Sequence, residues 1–223
     1  MIRRHLILFD FDGTLVNSYR RILGSMAATF RARGLPIPAE EEILSLVGLQ
    51  PVIIMGRLAP QLDQDTRASM AKTYVANSMR LCAEDKNLEP PFPGAVSTLK
   101  ALRADGHLLG MVTGKSAAGL QQSMENLAWF EHFDDIRPGD SGPSKPDPTL
   151  ILRAMAATKM DPDKTVMVGD TTFDIEMAVQ AGVTPIGVSW GHHAVDDLRA
   201  AGARHVIENF GELQKILQGF QEA

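Results

Sequence analysis

Two aspartates, Asp10 and Asp12, come directly after a short apolar run and are separated by a single phenylalanine. Two carboxylates this close repel each other unless a cation or a proton lies between them. Taken alone, such a pair is more typical of a turn or a helix N-cap. With suitable partners, one carboxylate can instead attack a phosphorus atom while the other transfers a proton. The pair therefore predicts chemistry only if the rest of the chain supplies those partners.

Three later segments supply a hydroxyl, an ammonium group and two more carboxylates. They are Thr113 with Gly114, Lys145, and Asp170 with Asp174. Mg²⁺ prefers oxygen ligands, so Asp10 and Asp170 could hold it, and Asp174 could reach the same ion or its waters. A hydroxyl and a lysine would neutralise phosphoryl oxygens, where phosphoryl transfer needs most of its stabilisation. These residue types together predict the transfer of a phosphoryl group with Mg²⁺.

The polar groups follow segments that have the pattern of buried strands. We predict strands at Leu6 to Phe9, Leu108 to Val112, Thr165 to Val168, Thr184 to Ser189 and His205 to Ile207. Continuous apolar runs separated by helical patterns are typical of a parallel sheet covered by helices on both faces. This predicts an α/β fold with a doubly wound, Rossmann-like core. Ligands bind beyond the carboxyl ends of such strands, where the polar groups stand.

One region interrupts the alternation of strands and helices. From about Val16 to Leu88 only helical periodicity is found, and the segment ends in the proline-rich stretch "LEPPFPG". Its apolar stripes consist of Tyr19, Ile22, Leu23, Met26 and Phe30, and of Ala68, Ala71, Val75, Met79 and Cys82. We therefore predict an all-helical cap at residues 16–88, inserted into an α/β catalytic core made of residues 1–15 and 89–223.

Composition limits the classes of partner. The net charge of -5 argues against a nucleic-acid partner, which usually needs a basic face. The single cysteine, Cys82, excludes an internal disulfide and suits a reducing compartment. No apolar run approaches the ~20 residues of a membrane span, and the first run is cut short by Asp10, as a secretory signal would not be. We expect a cytoplasmic protein without a membrane or nucleic-acid partner.

Four short segments resemble, in order, the motifs of the haloacid dehalogenase-like (HAD) hydrolase superfamily. They are "DFDGTLVNS", "VTGK", "SKPDP" and "VGDTTFD". The resemblance covers nearly the whole chain and includes a helical cap between the first two motifs, as in members with a C1-type cap. The second and fourth motifs, together with "GVSWGHH", most resemble phosphoglycolate phosphatases.

The resemblance implies a role for each polar residue. Asp10 would be the nucleophile, and Asp12 the general acid/base, which also offers its main-chain carbonyl to the metal. Phosphate binding is implied for Thr113, Gly114 and Lys145, and Mg²⁺ binding for Asp10, Asp12, Asp170 and Asp174. Lys115, in contrast, is interpreted as a surface or helix-start lysine, and His192 and His193 as loop residues at the rim of the site.

The implied activity is Mg²⁺-dependent hydrolysis of a small phosphate monoester, with 2-phosphoglycolate as one candidate, through an aspartyl-phosphate intermediate. The partner would be a small phosphorylated metabolite. A phosphomutase or pyrophosphatase shares the same motifs and remains open, as does a non-catalytic phospho-binding protein. The last alternative has no use for Asp12, because a long-lived phosphoaspartate needs no adjacent acid/base. The sequence leaves both a monomer and a homodimer open.

Overall fold

A parallel sheet forms the centre of the molecule. A computed structural model describes residues 4–222, with side chains to residue 220, and over this range the sheet has six strands in the order β3-β2-β1-β4-β5-β6. The strands are β1 Leu6–Phe9, β2 Leu108–Val112, β3 Asp135–Arg137, β4 Thr165–Gly169, β5 Thr184–Val188 and β6 His205–Ile207. The five predicted strands are confirmed to within one residue. The edge strand β3 was missed because it has only three residues and two of them are charged.

Ten α-helices accompany the sheet within the described range. They are α1 Tyr19–Ala32, α2 Glu40–Leu44, α3 Pro51–Leu58, α4 Gln64–Glu84, α5 Ala95–Ala104, α6 Ala117–Leu127, α7 Thr149–Thr158, α8 Thr172–Ala181, α9 Val195–Ala200 and α10 Phe210–Glu222. Helices α5, α6 and α10 share one apolar cluster with the sheet, and α7 and α8 share a second. Both faces of the parallel sheet are therefore covered, which confirms the predicted doubly wound α/β core.

Helices α1 to α4 form a block with its own apolar core, between β1 and β2 in the chain. Ile22, Met26, Met55, Met70 and Tyr74 are buried in this core. The described residues 16–88 contain no strand, as predicted. The chain enters this helical block near residue 17 and leaves it near residue 90. These two segments lie side by side, because the amide of Asn17 donates to the carbonyl of Pro90 at 2.9 Å. The exact boundaries of core and cap stay a prediction, and residues 1–3 and 223 of the predicted core lie outside the described range.

Two details of the predicted cap stripes are wrong. Tyr19 is 39% exposed, and its hydroxyl donates to Glu40 instead of packing inward. In α4 the buried face includes Met70, Tyr74 and Ser78, so it lies about one residue from the predicted stripe. The difference arises because α4 contacts α1, α3 and α6, and its buried surface is wider than one stripe. None of the described helices is both long enough and apolar enough to cross a bilayer.

Candidate active site

Three buried carboxylates meet at the carboxyl ends of the central strands β1 and β4. The amide of Asp10 donates to the Val168 carbonyl at 2.9 Å, so the sheet ladder fixes the backbone of Asp10 beside β4. Asp170 follows β4 directly, and Asp174 lies in the first turn of α8. All three aspartates are 0% exposed, and one oxygen of each lies within 4.8 Å of the others. The sheet thus brings together three residues that are distant in sequence, as the strand-end argument predicted.

Lys145 partly neutralises this cluster. Its Nζ lies 2.8 Å from Asp10 Oδ1 and 2.5 Å from Asp174 Oδ1, and its side chain is 1% exposed. Burial raises the pKa of Asp10 to about 7; Lys145 opposes the rise, whereas Asp174 and Asp170 add to it. One ammonium group faces three carboxylates, so ionising all three aspartates leaves a net negative charge in a dry site. Such a charge is costly to bury without a further cation.

Asp170 is held by donors from two loops. Thr14 Oγ1 donates to its Oδ1 at 2.9 Å, and the amide and Nδ1 of His192 lie 2.9 Å and 2.7 Å from its Oδ2. Although burial opposes charge, the His192 hydrogen bonds hold the pKa of Asp170 below its ordinary value. Gly13, at φ 88°, passes so close that a β-carbon would overlap both Asp170 and His192. His192 is thus a loop residue, as interpreted, but it contacts the acidic cluster through Asp170 instead of only lining the rim.

Asp174 also has a structural role. Its Oδ2 accepts from the Thr171 amide at 3.1 Å, which is one half of a capping box at the start of α8, and it also accepts from Thr171 Oγ1 at 2.7 Å. Its other oxygen contacts Lys145. The helix-start interpretation and the site interpretation are thus compatible, and direct metal binding by Asp174 stays a prediction.

The side chains of the three aspartates fit Mg²⁺ as ligands. All the atoms with which they could bind a metal are oxygens, which Mg²⁺ prefers. Asp10 Oδ2 has no hydrogen-bond donor among the described residues although it is buried, which is a costly state for a carboxylate oxygen. Asp10 and Asp170 are the residues that would hold the ion, and the main-chain carbonyl of Asp12 stays a predicted third ligand.

Thr113 and Gly114 directly follow strand β2 and line the same cavity as Asp10 and Asp12. Thr113 is 1% exposed. Gly114 lies against the cap, since a β-carbon there would overlap the carbonyl groups of Gly48 and Leu49. A glycine is therefore needed for the close approach between the cap loop and the strand end. The structure thus brings all the predicted site residues to one end of the sheet.

Asp12 belongs to a second buried ionic network that the sequence did not predict. Arg21 Nη2, from the first cap helix, lies 2.7 Å from Asp12 Oδ2, and Arg21 Nε contacts Glu89. Lys115 Nζ contacts Glu89 as well and lies 3.5 Å from Asp12 Oδ1. The interpretation of Lys115 as a surface lysine was wrong, because the residue is 9% exposed and ion-paired, although it does directly precede the N-cap of α6. Although burial opposes ionisation, Arg21 and Lys115 hold the pKa of Asp12 well below its ordinary range.

One sequence signal could have indicated the network. Arg21, Ser25 and Thr29 recur every four residues in α1, beside the apolar stripe of Ile22 and Met26, and all three are buried. Polar side chains that lie at the edge of a buried stripe need hydrogen-bond partners when they are buried with it. The sequence did not indicate which residues those partners are, because Glu89 and Lys115 come from distant parts of the chain.

The replacement Arg21→Met is expected to lower the free energy of unfolding by about 3–5 kcal/mol, because it leaves two buried carboxylates opposite one lysine. Urea unfolding followed by circular dichroism measures the change. Arg199→Met is the matched control, since the Arg199 side chain is 64% exposed and pairs with exposed Asp196. An unchanged unfolding midpoint for Arg21→Met would show that the network adds nothing to stability.

Comparison with known proteins gives a consistent result. A family described as "Haloacid dehalogenase-like hydrolase" matches residues 7–188. "Probable phosphatase IndB" of Dickeya dadantii is 32% identical over 212 residues, which cover 93% of this chain and 91% of the relative. A "Phosphoglycolate phosphatase" of Psychrobacter arcticus is 27% identical and covers 96% of both chains. A solved haloacid dehalogenase-like family hydrolase of Streptococcus pneumoniae superposes with a TM-score of 0.82 at 25% identity, covering 98% of this chain and 100% of the other.

Proposed function

Because the chain belongs to the haloacid dehalogenase-like hydrolase family and is a phosphatase of that family, we propose that it hydrolyses a small phosphate monoester with Mg²⁺, through an aspartyl phosphate on Asp10. The observation that carries this proposal is the environment of Asp10. One oxygen of its buried carboxylate pairs with Lys145, while the other has no described donor, and the residue lines the cavity between core and cap.

In the first step, an Asp10 oxygen attacks the phosphorus atom and the bond from phosphorus to the ester oxygen breaks. Lys145, Thr113 and Gly114 bind the phosphoryl oxygens, where charge has to be stabilised. Asp12 gives its proton to the leaving oxygen, so the alcohol departs neutral. The negative charge of a bound phosphate favours the uptake of that proton by Asp12 beforehand.

In the second step, Asp12 takes a proton from a water molecule, which attacks the aspartyl phosphate and regenerates Asp10 with release of phosphate. The ion pairs with Arg21 and Lys115 favour the ionised form of Asp12, which is the form that accepts a proton. When bound by Asp10, Asp170 and the Asp12 carbonyl, with Asp174 beside it, Mg²⁺ supplies positive charge against the carboxylates and the phosphoryl oxygens.

The proposed substrate is a small phosphorylated metabolite. The cavity beside Asp10 has a volume of about 40 Å³, which is room for about three or four water molecules. The names of several relatives make 2-phosphoglycolate the first ester to test. Closure of the proposed cap, residues 16–88, over the core would exclude bulk water while the ester bond breaks.

Removal of divalent metal tests this proposal. After treatment with EDTA, phosphate release from a small monoester is expected to fall by about 10²-fold or more, because several kcal/mol of charge stabilisation is lost. Addition of Mg²⁺ in excess should restore the rate, and EDTA already saturated with Mg²⁺ serves as the control. Full activity in the metal-depleted protein would exclude the Mg²⁺-dependent reaction.

A further inference from the structure

The cavity in front of Asp10 has an apolar wall on the cap side. Ile22, Met26, Ile54, Tyr74 and Val75 line it, and all of them come from helices α1, α3 and α4. Thr113 and Gly114 form the opposite wall at the end of β2. With the phosphoryl group held beside Lys145 and Thr113, the alcohol part of the substrate has to lie against this apolar wall.

Two cationic side chains, Arg21 and Lys115, face this cavity among the described residues that line it, and both are already paired. All three nitrogen groups of Arg21 are in use: Nη2 pairs with Asp12, Nη1 donates to Ser78 Oγ at 2.9 Å, and Nε contacts Glu89. Lys115 Nζ contacts Glu89 and Asp12. While Asp12 is ionised, two cations face two carboxylates, so the set carries no spare positive charge for a charged alcohol group that enters the cavity.

Glu89 provides one of the two negative charges that pair with Arg21 and Lys115, and its side chain lies outside the lining of the cavity. It is 5% exposed, and Ser123 Oγ donates to its Oε2 at 2.5 Å. A substrate carboxylate entering the cavity would therefore be desolvated without a free cation to pair with. Burying a charge in this way is costly, whereas an uncharged alkyl group gains from contact with the apolar wall.

A wider groove continues outward from the cavity. Its volume is about 460 Å³, and it shares Pro51, Val75 and Gly114 with the cavity. The cation in its described lining is Lys72, which is exposed to solvent. Because an ion pair with a solvent-exposed lysine is weak, Lys72 is expected to contribute little to substrate binding.

Building on the function proposed above, we propose that the alcohol part of the substrate is short, uncharged and largely apolar. Phosphate esters that carry a carboxylate next to the phosphoryl group, such as 2-phosphoglycolate, are then poorer substrates than uncharged esters of the same shape. The paired state of Arg21 and Lys115, which Glu89 maintains, is the selecting feature.

The experiment compares kcat/KM for 2-phosphoglycolate and isobutyl phosphate with Mg²⁺ present. Both esters have a CH2 group on the ester oxygen followed by a branched end group, which is a charged carboxylate in 2-phosphoglycolate and an uncharged CH(CH3)2 group in isobutyl phosphate. We expect kcat/KM to be about tenfold or more higher for isobutyl phosphate, since burying one unpaired charge costs more than losing one good contact. An equal or higher value for 2-phosphoglycolate overturns the inference but leaves the phosphatase proposal intact. If neither ester releases phosphate, the proposed function itself fails and the inference fails with it.

The variant Glu89→Gln tests the charge balance directly. It removes one carboxylate from behind Arg21 and Lys115, so the ratio of kcat/KM values should shift about tenfold toward 2-phosphoglycolate. Any general loss of activity cancels in this ratio. Glu84→Gln, at an exposed glutamate, and Lys72→Met should leave the ratio unchanged. If Lys72→Met weakens only 2-phosphoglycolate, the groove binds the carboxylate and the inference is overturned. If Glu89→Gln does not fold, the comparison of the two esters with the wild-type protein still tests the inference.

Discussion

The replacement Asp10→Asn is expected to lower kcat/KM for phosphate release by about 10⁴-fold or more, because an amide cannot form the acyl phosphate. The fold should persist. Asp10 lies close to Asp170 and Asp174, so neutralising one of three buried carboxylates relieves repulsion while the asparagine keeps the size of the side chain. The melting temperature without metal is therefore expected to stay the same or to rise, which separates lost chemistry from lost structure.

Two measurements check this expectation. Steady-state phosphate release gives the loss in kcat/KM, and acid quenching followed by mass spectrometry should find a phosphorylated peptide containing Asp10 in the wild type and none in the variant. Asp161→Asn is the matched control, since the Asp161 side chain is 68% exposed and pairs with Lys164 at the surface. An Asp10→Asn protein that keeps Mg²⁺-dependent phosphatase activity would exclude the covalent route.

The polar groups at the strand ends were predictable because of the geometry of a parallel sheet. Strand β1 is buried on both faces, so its sequence is a continuous apolar run, and the first polar residue after it has to stand at the edge of the sheet. The same reasoning applies to Thr113 after β2 and to Asp170 after β4. Parallel strands present their carboxyl ends at one edge, so three separate local patterns were sufficient to predict one cluster.

The network around Asp12 could not be predicted in this way, because its members meet only when the cap lies against the core. Arg21 belongs to a cap helix, Glu89 to the returning linker, and Lys115 to the segment after β2. Lys115 is preceded by a predicted strand and followed by a helix start, and a lysine at such a place is almost never fully buried unless it is paired. The pairing that buries it is a tertiary contact without a local signal.

The sequence predicted that Lys145 belongs to the site, but it did not predict which residues the side chain contacts. Nothing in its own surroundings, a loop before a proline, distinguishes it from a solvated lysine, and only the order of the four motifs indicated a site role. In the structure its ammonium group lies between Asp10 and Asp174, and although burial opposes charge, the two carboxylates hold the pKa of Lys145 above its ordinary value. The lysine is therefore charged over the whole range of pH in which the protein would be assayed.

The replacement Lys145→Met is expected to reduce kcat/KM by about 10²–10³-fold, since one fixed positive charge beside the transferred phosphoryl group is lost. It also removes the cation that pairs with Asp10 and Asp174, so the variant should be less stable without metal, by about 3–5 kcal/mol. A bound divalent cation replaces part of that missing charge. Thermal unfolding with and without Mg²⁺ should consequently show a larger stabilisation by Mg²⁺ in Lys145→Met than in the wild type.

The difference in stabilisation by Mg²⁺ between the variant and the wild type shows whether Lys145 and the metal act on the same carboxylates or at separate places. If Lys145 and Mg²⁺ neutralise the same carboxylates, then the loss of one makes the protein depend more on the other, and their effects on stability are coupled. Lys164→Met provides the matched control, because the Lys164 side chain is 40% exposed and pairs with exposed Asp161. An equal Mg²⁺ response in all three proteins would mean that the metal binds away from Asp10 and Asp174, and a full rate in Lys145→Met would exclude phosphate binding by this lysine.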